Sequence, residues 1–224
     1  MKRLTGILAA LTILALLSCN NSSDNEPENT PVTPALSYTL GGSLPHDTSS
    51  FTEGLEFYNN NLLESTGNYG KSKLLEMDPT SGKVLKQVVL DPKYFGEGIS
   101  VLRDTIYQMT YKEHVVFLYS AKDFTKIKEQ PLNTEGWGMT NDGKNLIVSD
   151  GSSNLFFYEP GTFRLLKTQA VTENGVPAVN VNELEYINGY VYANQWQYNY
   201  ILKIDPNTGA VIAKMDLTDL VNRV

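Results

Sequence analysis

Cysteine and histidine are almost absent from this chain. Cys19 is the only cysteine among 224 residues, so an intramolecular disulfide is excluded. The two histidines, His46 and His114, lie far apart in the sequence repeat described below and do not form a metal-ligand set. No serine occupies a nucleophile-elbow motif, and no glycine-rich phosphate loop precedes a helical pattern. These absences argue against metal-dependent, serine-hydrolase and nucleotide-dependent chemistry.

Basic residues are too few and too scattered for a nucleic-acid protein. The net charge is -7, and no basic stripe is present to neutralise phosphates. Long helical patterns are also scarce, whereas Tyr, Phe, Val, Ile and Thr are common, which favours β-strands. The length suits one domain with a real core. The composition therefore predicts an exported, all-β protein that does not bind nucleic acid.

The N-terminus has the pattern of a bacterial lipoprotein signal. Lys2 and Arg3 precede the apolar run 7–17, which is too short to span a bilayer comfortably. The run ends in Leu16-Leu17-Ser18-Cys19, which resembles a lipobox; the alternative is an incidental cysteine within the signal. We predict a signal peptide at 1–18, a flexible tether at 19–35 that begins with a lipidated Cys19, and a folded domain at 36–224. The expected location is the bacterial cell envelope, with membrane contact only through the lipid.

A glycine-centred phrase recurs along the rest of the chain at intervals of about 40–46 residues, the length of one four-stranded propeller blade. Each phrase is followed by four short strand patterns separated by turn signals. Because propeller blades repeat around one axis, equivalent positions should converge on one end of a central channel. The four copies are Thr52-Glu53-Gly54-Leu55, Gly96-Glu97-Gly98-Ile99, Gly136-Trp137-Gly138-Met139 and, more loosely, Asn182-Glu183-Leu184-Glu185.

Two of the blades share a nearly identical turn between their last two strands. The turns read Asp78-Pro79-Thr80-Ser81-Gly82 and Asp205-Pro206-Asn207-Thr208-Gly209. Proline fixes φ early in such a turn, and glycine supplies the positive φ that closes it. The shared turn supports the assignment of repeated blades.

Five short phrases in this order resemble the plant and bacterial glutamine cyclotransferases, also called glutaminyl-peptide cyclotransferases. The resemblance runs from about Tyr38 to the C-terminus. It implies an all-β, five-bladed β-propeller of four-stranded blades, which converts N-terminal glutamine of peptides or proteins to pyroglutamate and releases ammonia. No cofactor is expected. The phrases are Phe51-Thr52-Glu53-Gly54-Leu55, Glu64-Ser65-Thr66-Gly67, Phe95-Gly96-Glu97-Gly98, Glu135-Gly136-Trp137-Gly138 and Asn182-Glu183-Leu184-Glu185, with Pro45-His46-Asp47 ahead of the first.

The resemblance also implies roles for particular residues. The family's proton-transfer glutamate corresponds to Glu97, and its pocket tryptophans and asparagine correspond to Trp137, Trp196 and Asn182. Two further substrate-binding positions depart from the commoner pattern, because Glu53 replaces a glutamine and Tyr111 replaces a tryptophan. A pocket lysine of the last blade has no counterpart.

The chemistry of cyclisation makes these assignments reasonable. The neutral α-amine attacks the side-chain carbonyl, and the departing amide nitrogen must receive a proton. One carboxyl group with a raised pKa can serve both steps. Glu97 lies between two glycines that permit close approach to a ligand, and repulsion from Glu53 would raise at least one of the two pKa values.

Each of these residues also has a purely structural alternative. Either glutamate could be a solvated charge at a strand end, and either tryptophan could pack between blades rather than line a dry slot for the glutamine methylenes. Asn182 could cap a strand end instead of donating to the developing oxyanion. Asp150, with Ser149 and Ser152, could hold a structural calcium, although Asp-Gly more often forms a hairpin turn.

The number of blades and the activity also leave alternatives. Only four complete blade patterns are present, and Leu36–Leu40 resembles an outer strand that would close the ring with a final, incomplete blade. We therefore expect five blades with a truncated last one; a four-bladed ring is the alternative. A binding or scaffold propeller without catalysis is the second functional hypothesis. A lactonase or sugar hydrolase would need a metal cluster or a second well-placed acid.

Overall fold

The computed structural model describes residues 32–223. Nearly all regular structure lies in four antiparallel, four-stranded sheets, each formed by consecutive strands. The first blade contains β1 (Thr52–Tyr58), β2 (Asn61–Thr66), β3 (Lys73–Met77) and β4 (Val84–Val89), and the second contains β5 (Gly96–Leu102), β6 (Thr105–Thr110), β7 (Val115–Ser120) and β8 (Lys126–Pro131). The third contains β9 (Met139–Asn141), β10 (Leu146–Val148), β11 (Asn154–Glu159) and β12 (Arg164–Ala170). A small hairpin, β13 (Thr172–Glu173) and β14 (Val176–Pro177), precedes the fourth, which contains β15 (Val181–Ile187), β16 (Tyr190–Gln195), β17 (Tyr200–Ile204) and β18 (Val211–Asp216); α1 (Thr218–Val221) follows.

The arrangement is a four-bladed β-propeller, so the prediction of five blades is wrong. Each repeat of about 40–46 residues forms one complete four-stranded sheet. No fifth four-stranded sheet occurs between residues 32 and 223. The four-bladed alternative agrees with the structure.

Local sequence explains the hairpins at one end of the blades. The β1–β2 turn uses Asn59 and Asn60 at positive φ, and the β15–β16 turn uses Asn188 and Gly189 in the same way. Two consecutive residues at positive φ form the type I′ turn, whose twist matches that of the flanking strands. The predicted Asp-Pro turns behave as expected, since Gly82 has a φ of 69° and Gly209 has a φ of 75°.

Apolar layers between successive blades form the core. The first layer includes Leu63 and Ile99, the second includes Met109 and Leu146, and the third includes Leu155. The first and fourth blades are separated instead by a groove of about 290 Å³, to which β1 and β15 contribute carboxylates and apolar side chains.

The N-terminal segment pairs with the outer edge of the fourth blade. Ala35 forms a parallel bridge with Lys214 in β18, and the Leu36 amide donates to the Lys214 carbonyl at 2.8 Å. The predicted closing strand Leu36–Leu40 is wrong, since this stretch has no regular structure. The free backbone groups of β18 explain why the chain pairs there.

The membrane predictions fall largely outside the described residues. The signal sequence, Cys19 and most of the tether belong to residues 1–31. Within residues 32–223, no helix is long and apolar enough to cross a membrane.

Candidate active site

A cavity of about 190 Å³ opens at the end of the propeller where the inner strands begin. It is smaller than the ~300–1,000 Å³ pockets that hold drug-sized ligands, and it suits a single side chain. Antiparallel order brings the starts of β1, β5 and β15 to this end, together with the loops after β6 and β16. The lining residues are Phe51, Glu53, Phe95, Glu97, Tyr111, Trp137, Asn182 and Trp196.

Every residue that the sequence predicted for the site therefore lies at one cavity. Glu53, Glu97, Trp137 and Asn182 occupy equivalent positions in the four repeats, whereas Tyr111 and Trp196 follow the second strands of their blades. The predicted convergence at one end of the channel agrees with the structure. The chemical roles of the six residues stay predictions.

Glycines allow the inner strands to approach closely enough for this convergence. A Cβ built on Gly54 would lie 3.0 Å from the Gly98 Cα, and one on Gly98 would lie 2.8 Å from the Gly138 carbonyl carbon. A Cβ on Gly138 would lie only 2.2 Å from the Asn182 carbonyl oxygen. Side chains at these positions would force the blades apart, so the repeated glycines set the width of the channel.

Glu97 is the most strongly perturbed acid of the cavity. Glu97 is the second residue of β5, within an irregularity in the strand register, and it is only 6% exposed. Burial, followed by the negative charges of Glu53, Glu113 and Glu135, raises the pKa of Glu97 to about 10. The carboxyl group therefore carries a proton at neutral pH.

Glu53 differs from Glu97 in its degree of burial. Its side chain is half-buried, and burial alone raises its pKa to about 7. Glu53 thus ionises near neutral pH, where Glu97 is still protonated. At neutral pH Glu53 is therefore partly ionised, and its negative charge adds to the effect of burial on the pKa of Glu97.

Two tryptophans form one wall of the cavity. The Trp137 and Trp196 rings meet edge to face, with centroids 5.5 Å apart and planes at 86°. The Trp137 indole N–H donates to the Glu135 carboxylate at 3.4 Å. The ring also covers Gly151, where a Cβ would lie 2.5 Å from an indole carbon. The orientation of Trp137 is therefore set by a neighbouring acid and by a position that only glycine can occupy.

The cavity is also lined by two phenylalanines that the sequence reasoning missed. Phe51 and Phe95 meet edge to face with centroids 6.2 Å apart, and Tyr111 packs against Phe95 at 5.9 Å. Each phenylalanine precedes its glutamate, Glu53 or Glu97, by two residues. The same repeat register that pointed to the glutamates was the signal that could have identified the phenylalanines.

Asn182 is positioned through its main chain. The Ser149 hydroxyl donates to the Asn182 carbonyl at 2.6 Å and accepts the Gly138 amide at 2.8 Å. Asn182 lines the cavity, and its side-chain amide makes no hydrogen bond to any residue in the range 32–223. Asn182 and Glu53 also line the groove between the first and fourth blades, whereas Glu183 lines that groove but not the cavity.

The residues that the sequence analysis considered as metal ligands have separate structural partners. His46 contacts Glu64 at 3.0 Å, whereas His114 contacts the Thr134 carbonyl at 2.9 Å. Asp150 accepts the Ser152 amide at 3.0 Å, as in an Asx turn. Within residues 32–223, no group of three His, Cys, Asp or Glu side chains has the arrangement of a metal site.

Comparison with known proteins gives a consistent family assignment. A family model described as glutamine cyclotransferase matches residues 10–224. The chain is 38% identical, over 179 residues, to a glutaminyl-peptide cyclotransferase of Arabidopsis thaliana. The match covers 79% of this chain and 56% of the plant protein, so the chain spans little more than half the length of that relative.

Solved structures agree with the sequence comparison. The glutaminyl cyclase of Myxococcus xanthus superimposes with a TM-score of 0.76 at 33% identity, covering 81% of this chain and 77% of that protein. The WD40 domain of Neurospora crassa Pan2 superimposes with a TM-score of 0.52 at 11% identity, covering 70% and 49%. The second match supports the propeller fold alone.

Proposed function

The chain belongs to the glutamine cyclotransferase family, and on that premise we propose that it converts the N-terminal glutamine of peptides to pyroglutamate with release of ammonia. The observation that carries the proposal is a buried, protonated Glu97 facing a cavity of single-residue size between aromatic walls. Cyclisation needs an acid for the leaving nitrogen, and Glu97 is held in that form at neutral pH.

The reaction begins with orientation of the substrate. The glutamine methylenes pack against the edge-to-face Trp137–Trp196 pair, which excludes water and restricts the side chain to folded-back conformations. The α-amine and the side-chain carbonyl belong to one residue, so fixing their geometry removes much of the entropic barrier to ring closure.

One carboxyl group, that of Glu97, then serves both the formation of the new bond and the cleavage of the old one. The neutral amine attacks the side-chain carbonyl carbon, and a C–N bond closes the five-membered ring. The Glu97 carboxylic acid gives its proton to the side-chain amide nitrogen of the substrate. This nitrogen leaves as ammonia when its own bond to the carbonyl carbon breaks. The resulting carboxylate takes the proton lost by the attacking amine, so the carboxyl group returns to its starting state.

Two neighbours assist this proton transfer. The free side-chain amide of Asn182 donates to the oxygen that becomes negatively charged in the tetrahedral intermediate. Glu53, ionised above a pH of about 7, disfavours a second negative charge and so keeps the proton on Glu97.

The experiment follows ammonia released from a glutaminyl peptide. Wild-type protein should release one ammonia per peptide, whereas the N-acetylated peptide, which lacks a nucleophilic amine, should release none. Glu97→Gln should lose most of the activity, by about 10²–10⁴-fold. No release by the wild-type protein would favour the alternative of a binding propeller, and full activity of Glu97→Gln would refute the assigned acid.

We further propose that the mature protein is attached to the bacterial cell envelope through a lipid on Cys19. The basic residues, the apolar run and the lipobox-like Leu16-Leu17-Ser18-Cys19 support this proposal, and the polar stretch that follows suits a tether.

A further inference from the structure

Apart from the groove between the first and fourth blades, another cavity lies beside the aromatic one and shares Phe51 with it. It has a volume of about 320 Å³ and contains Ser49, Ser50, Thr66, Lys71 and Lys73, all from the first blade or the segment before it. The Phe51 carbonyl accepts the Gly67 amide at 2.7 Å, so the ring that separates the cavities is anchored to the end of β2. The two cavities are therefore one side chain apart.

The two lysines give this cavity an unusual charge. The chain as a whole has a net charge of -7, yet neither Lys71 nor Lys73 forms an ion pair with any residue in the described part of the chain. Lys71 is exposed and Lys73 is half-buried. The charge of Lys73 contributes to the lowered pKa of Asp47, for which hydrogen bonds from Ser49 are the largest cause.

Substrate geometry connects the two cavities. Phe51 lines both cavities, so a peptide whose glutamine side chain occupies the aromatic cavity can continue past Phe51 into the lysine-lined cavity. An extended peptide advances about 3.3–3.6 Å per residue, so two residues span about 7 Å. Gly67 of the lysine-lined cavity packs directly against Phe95 of the first cavity, where a Cβ on Gly67 would collide with the Phe95 ring, so the second or third residue reaches the lysine-lined cavity.

We propose that this cavity is a subsite for an acidic side chain at the second or third position of the peptide, bound by Lys71 and Lys73. The inference rests on the proposed function, because it assumes that glutamine occupies the first cavity. Each ion pair with a half-buried or exposed lysine adds little to the binding free energy. We therefore expect the two lysines together to give about a threefold to tenfold preference for a carboxylate over its neutral isostere.

The test compares peptides that differ by one charge. Ammonia release is measured at low salt for Gln-Glu-Ala-Ala, Gln-Ala-Glu-Ala and their glutamine-containing isosteres. For the wild-type protein, kcat/KM should be higher for one of the two acidic peptides than for its glutamine-containing isostere. Salt at 0.5 M should reduce this preference, because the Debye length falls to about 4 Å. The double variant Lys71→Gln/Lys73→Gln should bring the ratio of kcat/KM values close to one.

Lys83→Gln provides the matched control. Lys83 is an exposed lysine of the same blade, but it lies on the β3–β4 turn at the opposite end from the cavities. It should leave the acidic-to-neutral ratio unchanged. A wild-type ratio near one, or a preference that survives in the double lysine variant, would overturn the subsite.

Binding separates failure of the subsite from failure of the proposed function. The same peptides are titrated into Glu97→Gln, which should bind without turnover, or into wild-type protein if that protein releases no ammonia. A charge preference that depends on the two lysines supports the subsite even when no peptide is cyclised. Equal or undetectable binding of acidic and neutral peptides refutes it.

Discussion

Replacing Glu53 with glutamine should shift the alkaline limb of the pH–rate profile to lower pH. Glu97 must be protonated to supply ammonia with its proton, and its pKa of about 10 sets the pH at which activity declines. Glu53 has a pKa of about 7, so it is negatively charged throughout that decline. Removal of this charge makes ionisation of Glu97 easier, and its pKa must fall.

The size of the shift follows from Coulomb's law. Carboxylates that perturb each other lie within about 4–6 Å. At about 6 Å and an effective dielectric constant of about 20, two charges repel by about 2.8 kcal/mol, or about two pKa units. Because Glu53 is only half-buried, solvent screens part of this repulsion, and we expect a shift of about one unit. Burial, the largest cause of the raised pKa, is retained in the variant.

The assay measures kcat/KM for ammonia release between pH 6 and pH 11. The acid limb reports the α-amine of the substrate, with a pKa of about 7.7–8.0, and should not move. Glu129→Gln, a substitution of an exposed carboxylate on the outer strand β8, should leave both limbs in place. An alkaline limb that stays fixed or rises in Glu53→Gln would refute the coupling between the two acids.

Three further predictions test the packing, the cavity wall and the anchor. Gly138→Ala places a Cβ 2.2 Å from the Asn182 carbonyl oxygen and should lower the free energy of unfolding by at least about 1–3 kcal/mol in urea titrations, whereas Gly41→Ala, with nothing within 4 Å, should not destabilise the fold. Glu113 accepts hydrogen bonds from the Tyr69 hydroxyl at 2.9 Å and from the Phe95 amide at 3.3 Å, and so positions Phe95 in the cavity wall. Glu113→Ala should therefore raise KM about threefold to tenfold, and Glu113→Gln should recover most of the loss. Equal KM values in both variants would contradict a positioning role. Cys19→Ala should move the protein from the membrane fraction to the soluble fraction, and unchanged partitioning would disprove lipid attachment.

The local and repeated features of this protein could be predicted from the sequence. The Asp78–Gly82 turn needs only proline and glycine at particular positions, and the turn forms as expected. The repeat also predicted that Glu53 and Glu97 would lie at one cavity, because equivalent positions of a propeller must face the same axis. Such inferences need no knowledge of how distant residues pack.

Other properties were decided only by the tertiary structure. The four-bladed architecture, with Ala35 bridging Lys214, depends on which edges and faces meet, and the repeat alone did not exclude a fifth blade. The pKa of about 10 at Glu97 depends on burial by residues from several blades and on three separate carboxylates. The sequence repeat determined which acids enter the site, whereas the packing of the blades decided how deeply each is buried and therefore which of them holds a proton.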